Sequence, residues 1–167
     1  MRIFKNKKGF TLVELLLYMG IFSILLTVTL QMFGSVFELQ LESQATSSVD
    51  VDGKFIINRF NYDISRASSI TLPATPGASG SALTITVNSQ DLTYSLSNGR
   101  INLNNASTAT NDQLNSSETS ASNLSFTRLE GAAGNKDIIQ MSFVLTSEVT
   151  QRKGKEVRNF QTTGGLR

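Results

Sequence analysis

A single carboxylate inside a long apolar run is the residue with the most chemical potential in this chain. The run extends from Phe10 to Leu30, and Glu14 is its one charged residue. A carboxylate at the centre of a membrane-spanning helix costs about 2.5–3.5 kcal/mol on insertion scales, and less near an end. Glu14 lies four residues into the run. It is therefore either tolerated at a membrane interface or in need of a positively charged partner.

Residues suited to catalysis or metal binding are scarce in the rest of the chain. There is no His and no Cys, which removes the commonest general base, the commonest transition-metal ligand and all thiol chemistry. Asp50 and Asp52 are spaced like the start of a calcium loop, but the later oxygen ligands are missing. We expect both to be solvated acids on a helix surface. The sequence predicts no catalytic residue, no metal and no cofactor, and a protein that is not an enzyme.

Positive charge is concentrated before Gly9. Four basic residues precede this glycine with no acid among them: Arg2, Lys5, Lys7 and Lys8. Subtracting them from the 15 basic side chains leaves 11 against 13 acidic ones, a net charge of −2 for the remainder. The pI of about 9.0 thus comes from the N-terminus and does not indicate a nucleic-acid-binding surface.

The apolar run is long enough to cross a bilayer. As a helix its 21 residues span about 31 Å at about 1.5 Å per residue. Its hydroxyl side chains can bond to the helix's own carbonyls, and the basic residues favour a cytoplasmic N-terminus. A cleaved secretory signal would be shorter and followed by a small-residue site. A plain membrane anchor would explain the length and the basic flank, but not Glu14 or the Gly9–Phe10 junction.

The residues around this junction are similar to a known processing signal. Lys7-Lys8-Gly9-Phe10-Thr11-Leu12-Val13-Glu14 resembles the N-terminus of type IV prepilins, which is shared by the pseudopilins of type II secretion systems. The resemblance extends from about Lys5 to Leu30. It implies that a membrane-embedded prepilin peptidase cuts between Gly9 and Phe10 and methylates the new amine.

The resemblance also implies how such subunits assemble. Glu14 of one subunit would pair with the Phe10 amine of its neighbour, and the remaining partners would be an inner-membrane assembly platform and other pilin or pseudopilin subunits. Many major pilins with this N-terminus carry a proline near the middle of the long helix. The prolines of this chain are Pro73 and Pro76, which favours a minor pilin or pseudopilin.

Apolar residues recur at helical spacing after the membrane run. Ile56, Phe60 and Ile64 lie on one face. The pattern predicts a continuous or once-bent helix to about Ser69, which the prolines terminate. Its expected weak points are Gly53 and residues 43–48.

Beyond Pro76 the apolar residues alternate with polar ones, as in half-buried strands. Asn98-Gly99 predicts a tight hairpin turn, because both residues tolerate positive φ. The polar segment 104–122 is expected to be a flexible surface loop or, alternatively, a variable surface for a partner. We predict an α+β fold, in which the second half of the long helix packs on a mostly antiparallel sheet of about five or six strands. The expected strands lie near residues 83–87, 92–96, 101–103, 124–129, 138–149 and 156–162.

These features predict four segments and two competing functions. The segments are a cleaved basic leader (1–9), a transmembrane and assembly helix (10–37), an amphipathic helical half (38–70) and a β-rich domain (71–167). The first functional hypothesis is a minor pilin or pseudopilin, single-pass in the cytoplasmic membrane with an extracytoplasmic C-terminal domain, and at the cell surface or in a periplasmic filament after assembly. The alternative is a permanently membrane-anchored extracytoplasmic binding module.

A second basic cluster lies near the C-terminus. Glu156 interrupts it, and no aromatic residue is interleaved before Phe160. A solvated turn between two strands is therefore favoured over a nucleic-acid site. The cluster comprises Arg152, Lys153, Lys155 and Arg158.

Overall fold

A computed structural model describes residues 9–130 and 137–166 of the chain. The leader charges Lys5, Lys7 and Lys8 lie outside the described residues. The chain divides into two compact units, residues 1–40 and 41–167. One helix, α1 (Leu12–Arg66), contributes to both.

In the first unit, α1 is apolar and its large side chains are exposed. Within the described residues, α1 is the one helix long and apolar enough to cross a membrane. Its hydroxyl groups donate to carbonyl oxygens one turn earlier, as the sequence predicts: Ser23 to Met19 at 2.7 Å and Thr27 to Ser23 at 2.9 Å. These polar side chains are therefore compatible with an apolar solvent.

In the second unit, α1 buries one face against the sheets. The predicted contact residues Ile56, Phe60 and Ile64 are all buried. The helix passes through Gly53 without interruption. A glycine is required here for a steric reason, because a Cβ at this position would overlap the ring of Phe160.

The helix ends earlier than its composition predicts, and proline is not the cause. It stops at Arg66, and Ala67 begins the first strand, which pairs with the 83–87 strand. Backbone groups after Arg66 are thus satisfied by the sheet, well before Pro73 is reached. The predicted helical segment 38–70 therefore ends about four residues later than the helix of the structure.

The described residues form nine strands in two antiparallel sheets, which confirms the α+β class. One sheet has the order β1-β3-β4-β5-β6 and the other β2-β7-β8-β9, where the sequence had indicated a single sheet of five or six strands. The strands are β1 (Ala67–Leu72), β2 (Ser79–Gly80), β3 (Leu83–Val87), β4 (Gln90–Ser97), β5 (Arg100–Asn105), β6 (Thr110–Gln113), β7 (Thr119–Leu129), β8 (Ile138–Gln151) and β9 (Gly154–Gly165).

The turn between β4 and β5 has the predicted geometry. Asn98 and Gly99 have φ values of 50° and 72°. Positive φ at both central positions is what a two-residue hairpin turn of type I′ requires. The register Ser97↔Arg100 follows from this turn.

Segment 104–122 is not the loop that its composition predicts. It contains the end of β5, all of β6 and the start of β7. Asn115 is buried; its side chain accepts from the Ile101 N–H at 2.9 Å and donates to the Thr119 carbonyl at 2.9 Å. Polar side chains here satisfy buried backbone groups, so the segment is ordered without an apolar pattern.

The same segment is bonded to α1 through a buried carboxylate. Asp52 accepts hydrogen bonds from the Ser116 N–H at 2.9 Å, the Ser116 hydroxyl at 2.8 Å and the Thr119 hydroxyl at 2.5 Å. It is only 8% exposed, so the expectation of a solvated acid is wrong. Asp50, by contrast, forms an ion pair with Arg158.

A second buried carboxylate joins α1 to sheet β1-β3-β4-β5-β6. The Tyr94 hydroxyl donates to Asp63 at 2.6 Å, and Nε of Arg59 donates to the same oxygen at 2.9 Å. Burial raises the pKa of the Tyr94 hydroxyl, and the negative charge of Asp63 raises it further. Tyr94 therefore remains protonated and available as a donor.

Replacement of Gly53 by Ala should destabilise the second unit. Overpacking against Phe160 costs about 1–3 kcal/mol, whereas the gain from removing a mid-helix glycine is only about 0.5–1 kcal/mol. Urea unfolding of the detergent-solubilised protein, followed by circular dichroism, measures the difference. The double variant Gly53→Ala/Phe160→Ala should lose less free energy of unfolding than the two single variants lose together. Gly34→Ala is the matched control, since a Cβ there meets no atom within 4 Å. If Gly53→Ala is neutral or stabilising, the steric explanation is wrong.

Replacement of Tyr94 by Phe should lower the free energy of unfolding by about 1–3 kcal/mol, because the buried Asp63 carboxylate loses one of its two donors. The same unfolding measurement applies. Tyr62→Phe is the control, because Tyr62 is exposed and its hydroxyl accepts from the nearby Arg66 guanidinium. Equal stability of Tyr94→Phe and the unaltered protein would contradict a stabilising role for the Tyr94 hydroxyl.

Candidate functional site

The Gly9–Phe10 peptide bond lies in irregular backbone just before α1. Both residues are exposed, and Phe10 retains 74% of its accessible surface. A Cβ added to Gly9 would meet no atom within 4 Å among the described residues. The bond is therefore outside the helical hydrogen-bond pattern and open to attack.

The first turn of α1 is organised by Thr11. Its hydroxyl oxygen accepts from the Glu14 N–H at 3.2 Å, and its carbonyl accepts from the Leu15 N–H at 3.1 Å. Thr11 is thus the N-cap residue, with Glu14 at the third helical position. A carboxylate in this turn also interacts favourably with the positive end of the helix dipole.

Tyr18 contacts both residues that the sequence singled out. Its hydroxyl donates to Oε1 of Glu14 at 3.2 Å. Its ring meets the Phe10 ring edge to face, with centroids 6.0 Å apart and planes at 74°. A ring pair of this kind contributes about 0.5–1.5 kcal/mol beyond burial. Tyr18 thereby groups Phe10, Glu14 and itself at one end of the helix.

Sequence reasoning did not identify Tyr18. The available signal was its position four residues after Glu14, since such residues are neighbours on a helix surface. The sequence did not indicate that the Phe10 side chain lies along α1 against Tyr18. Phe10 precedes the helix, so helical spacing does not fix the direction of its side chain.

The site contains an exposed backbone bond between Gly9 and Phe10, an aromatic residue and a carboxylate. It lacks an imidazole, a thiol or a second carboxylate within the described first unit that could act with Glu14. An exposed peptide bond can be a substrate for hydrolysis, and a carboxylate can pair with a cation. A free amine on Phe10 would be a cation, and Glu14 is the anion of matching charge on the same helix.

Residues 4–30 match the family model of the prokaryotic N-terminal methylation motif. The chain has a type IV pilin-like N-terminus. This supports the resemblance drawn from residues 5–30, and it indicates a prepilin-like substrate. The motif is that of a structural pilin-like subunit rather than of an enzyme family. No match to the chain was found among curated proteins or among solved structures.

The motif and the apolar helix together suit a membrane-anchored, pilin-like protein with a soluble C-terminal domain. The motif implies a pilin-type subunit that assembles into filaments.

The basic cluster near the C-terminus is largely neutralised by carboxylates. Arg158 forms ion pairs with Asp50 and Glu156. Lys155 lies 2.8 Å from Glu148, and its hydrogen bond lowers the pKa of that carboxyl group. Lys153 lies 3.7 Å from Glu42. These pairs leave little net positive charge for phosphate groups. Arg152 and Lys153 lie in the predicted turn between two strands, whereas Lys155 and Arg158 lie in β9.

Proposed function

We propose that this protein is a minor pilin or pseudopilin, a structural subunit of a type IV pilus-like filament that serves pilus biogenesis, secretion or DNA uptake. The observation that carries the proposal is the Gly9–Phe10 junction, exposed just before an apolar helix whose first turn holds the single carboxylate Glu14. The matching methylation motif supports it.

In this proposal the leader and the helix place the protein in the cytoplasmic membrane. Lys5, Lys7 and Lys8 hold the N-terminus on the cytoplasmic side, residues 10–37 cross the bilayer, and the β-rich domain lies on the extracytoplasmic side. After assembly the subunit is at the cell surface or in a periplasmic filament.

Processing is the first step. A prepilin peptidase hydrolyses the Gly9–Phe10 bond with one water, which leaves a carboxylate on Gly9 and an ammonium group on Phe10. A methyl group from a sulfonium donor then replaces one proton of the Phe10 amine. The methylated amine still binds a proton, so its positive charge is kept.

Assembly uses that charge. The Phe10 ammonium of one subunit pairs with Glu14 of its neighbour on the inner-membrane assembly platform. In a medium of low dielectric constant the energy of such a pair depends steeply on distance, so the pair sets the axial register between helices. Each of the two charges is costly alone in the membrane, which favours their pairing.

The uninterrupted helix supports a minor pilin or pseudopilin over a major pilin. No proline occurs before Pro73, and α1 continues from Leu12 to Arg66.

The N-terminal residue and the mass of the protein purified from its own membranes test the proposal. A chain that begins at Phe10, one methyl group heavier than its sequence mass, is the expected result. A chain that keeps residues 1–9 would instead identify a permanently anchored binding module.

Replacement of Gly9 by Val should leave the leader attached, because a branched side chain blocks close approach to the scissile bond. Immunoblots that resolve the two chain lengths measure the cut fraction. Gly20→Val, within α1, is the control and should be cut normally, since a Cβ there meets nothing within 4 Å. Efficient cutting of Gly9→Val would contradict the assignment.

Replacement of Glu14 by Ala should preserve membrane insertion and cleavage but reduce incorporation into the filament by about tenfold or more, as expected for loss of a charged pair of low exposure to water. The amount of the subunit in sheared or isolated filaments measures this. Ser23→Ala, in the same helix, is the control. Normal incorporation of Glu14→Ala would count against the pairing role.

A further inference from the structure

The side chain of Tyr18 contacts both Phe10 and Glu14. The hydroxyl reaches Oε1 of Glu14 at 3.2 Å, and the ring lies edge to face against Phe10. The two contacts use different parts of the side chain, so they can be separated by substitution.

The hydroxyl contact matters because of the solvent around it. Tyr18 lies one helical turn beyond Glu14, about 6 Å further along the apolar run. A carboxylate that enters hydrocarbon loses its water, and each lost hydrogen bond has to be replaced by a donor from protein. The Tyr18 hydroxyl supplies one such donor to Oε1. The carboxylate has further lone pairs, and Oε2 can accept a bond from an ammonium group.

The ring contact matters because of where α1 begins. The helix starts at Leu12, so Phe10 lies outside its hydrogen-bond pattern. After cleavage, the backbone of Phe10 would be a chain end with free rotation. With its ring held against Tyr18, the Phe10 amine samples a smaller arc near the helix end.

We infer that Tyr18 is a positioning residue for subunit assembly. Through its hydroxyl it holds the Glu14 carboxylate in the orientation that receives the neighbour's Phe10 ammonium, and through its ring it fixes the direction of its own Phe10 amine. This inference rests on the proposed function, because it assigns Tyr18 a role in the pairing of Glu14 with Phe10.

The test separates the two contacts in the full-length protein in its own membranes. Tyr18→Phe keeps the ring and removes the hydroxyl, whereas Tyr18→Leu removes both. Membrane insertion, leader cleavage and incorporation into filaments are measured for each. Tyr18→Phe should insert and be cut normally but be incorporated about three- to tenfold less, as for loss of one hydrogen bond to a charged group. Tyr18→Leu should be incorporated less well still.

The Glu14→Ala background shows whether Tyr18 acts through the carboxylate. In that background, Tyr18→Phe should cause no further loss, since its hydroxyl has no carboxylate to orient. Tyr62→Phe is the matched control and should be incorporated normally, because Tyr62 belongs to the second unit. A further loss in the double variant would overturn the inference, as would a defect of Tyr18→Phe in membrane insertion, which would make Tyr18 an interfacial anchor.

Two outcomes distinguish failure of this inference from failure of the proposed function. If Tyr18→Phe is incorporated normally while Glu14→Ala is not, the role of Tyr18 is overturned and the pairing of Glu14 stands. If Glu14→Ala is also incorporated normally, the pairing fails, and the role of Tyr18 fails with it.

Discussion

Each polar group along α1, whether in the backbone or in a side chain, needs a hydrogen-bond partner in the medium around it. Water does not serve in a bilayer, so a spanning segment has to satisfy its backbone internally, and a helix does so. Ser23 and Thr27 follow the same rule by bonding to carbonyls of their own helix. In the second unit the partners come from the β structure, which donates hydrogen bonds to the Asp52 and Asp63 side chains of α1.

The second unit shows how tightly such partners are matched. Asp52 and Asp63 lie eleven residues apart on α1, and each accepts hydrogen bonds from a different part of the β structure. Gly53 lies beside Asp52 and receives the ring of Phe160 from β9. The carboxylates of Asp52 and Asp63 and the close approach at Gly53 thus fix the helix against both sheets. Apolar burial alone would fix its orientation less specifically.

The features that the sequence predicted correctly are local ones. Alternation in β3, the Asn98-Gly99 turn and the buried face at Ile56, Phe60 and Ile64 each depend on residues a few positions apart. The features that it missed depend on distant partners. From the sequence, Gly53 is predicted to be a weak point of the helix. In the structure it makes room for the ring of Phe160, which lies 107 positions later in the chain. Segment 104–122 reads as a loop because its order comes from amide and hydroxyl groups that bond to remote backbone, and such bonds leave no periodic signal.

The candidate site divides in the same way. Gly9, Phe10 and Glu14 are marked by a motif of contiguous residues, whereas Tyr18 depends on how the Phe10 side chain turns.

The three carboxylates of α1 that lie in its apolar or buried stretches differ in how fully their oxygens are used. Asp52 accepts three hydrogen bonds and Asp63 two, one of them from a guanidinium group. Glu14 accepts one among the described residues, from Tyr18. A carboxylate offers about four acceptor positions, and in water the remaining ones would be filled at no cost. In hydrocarbon they would not, so a Glu14 with a single donor needs a further donor to be stable there. An ammonium group is a donor that also cancels its charge, and in the proposed function hydrolysis of the Gly9–Phe10 bond would create one on every subunit. The incomplete bonding of Glu14 among the described residues is thus a physical reason, within the proposed function, for the chain to assemble with others.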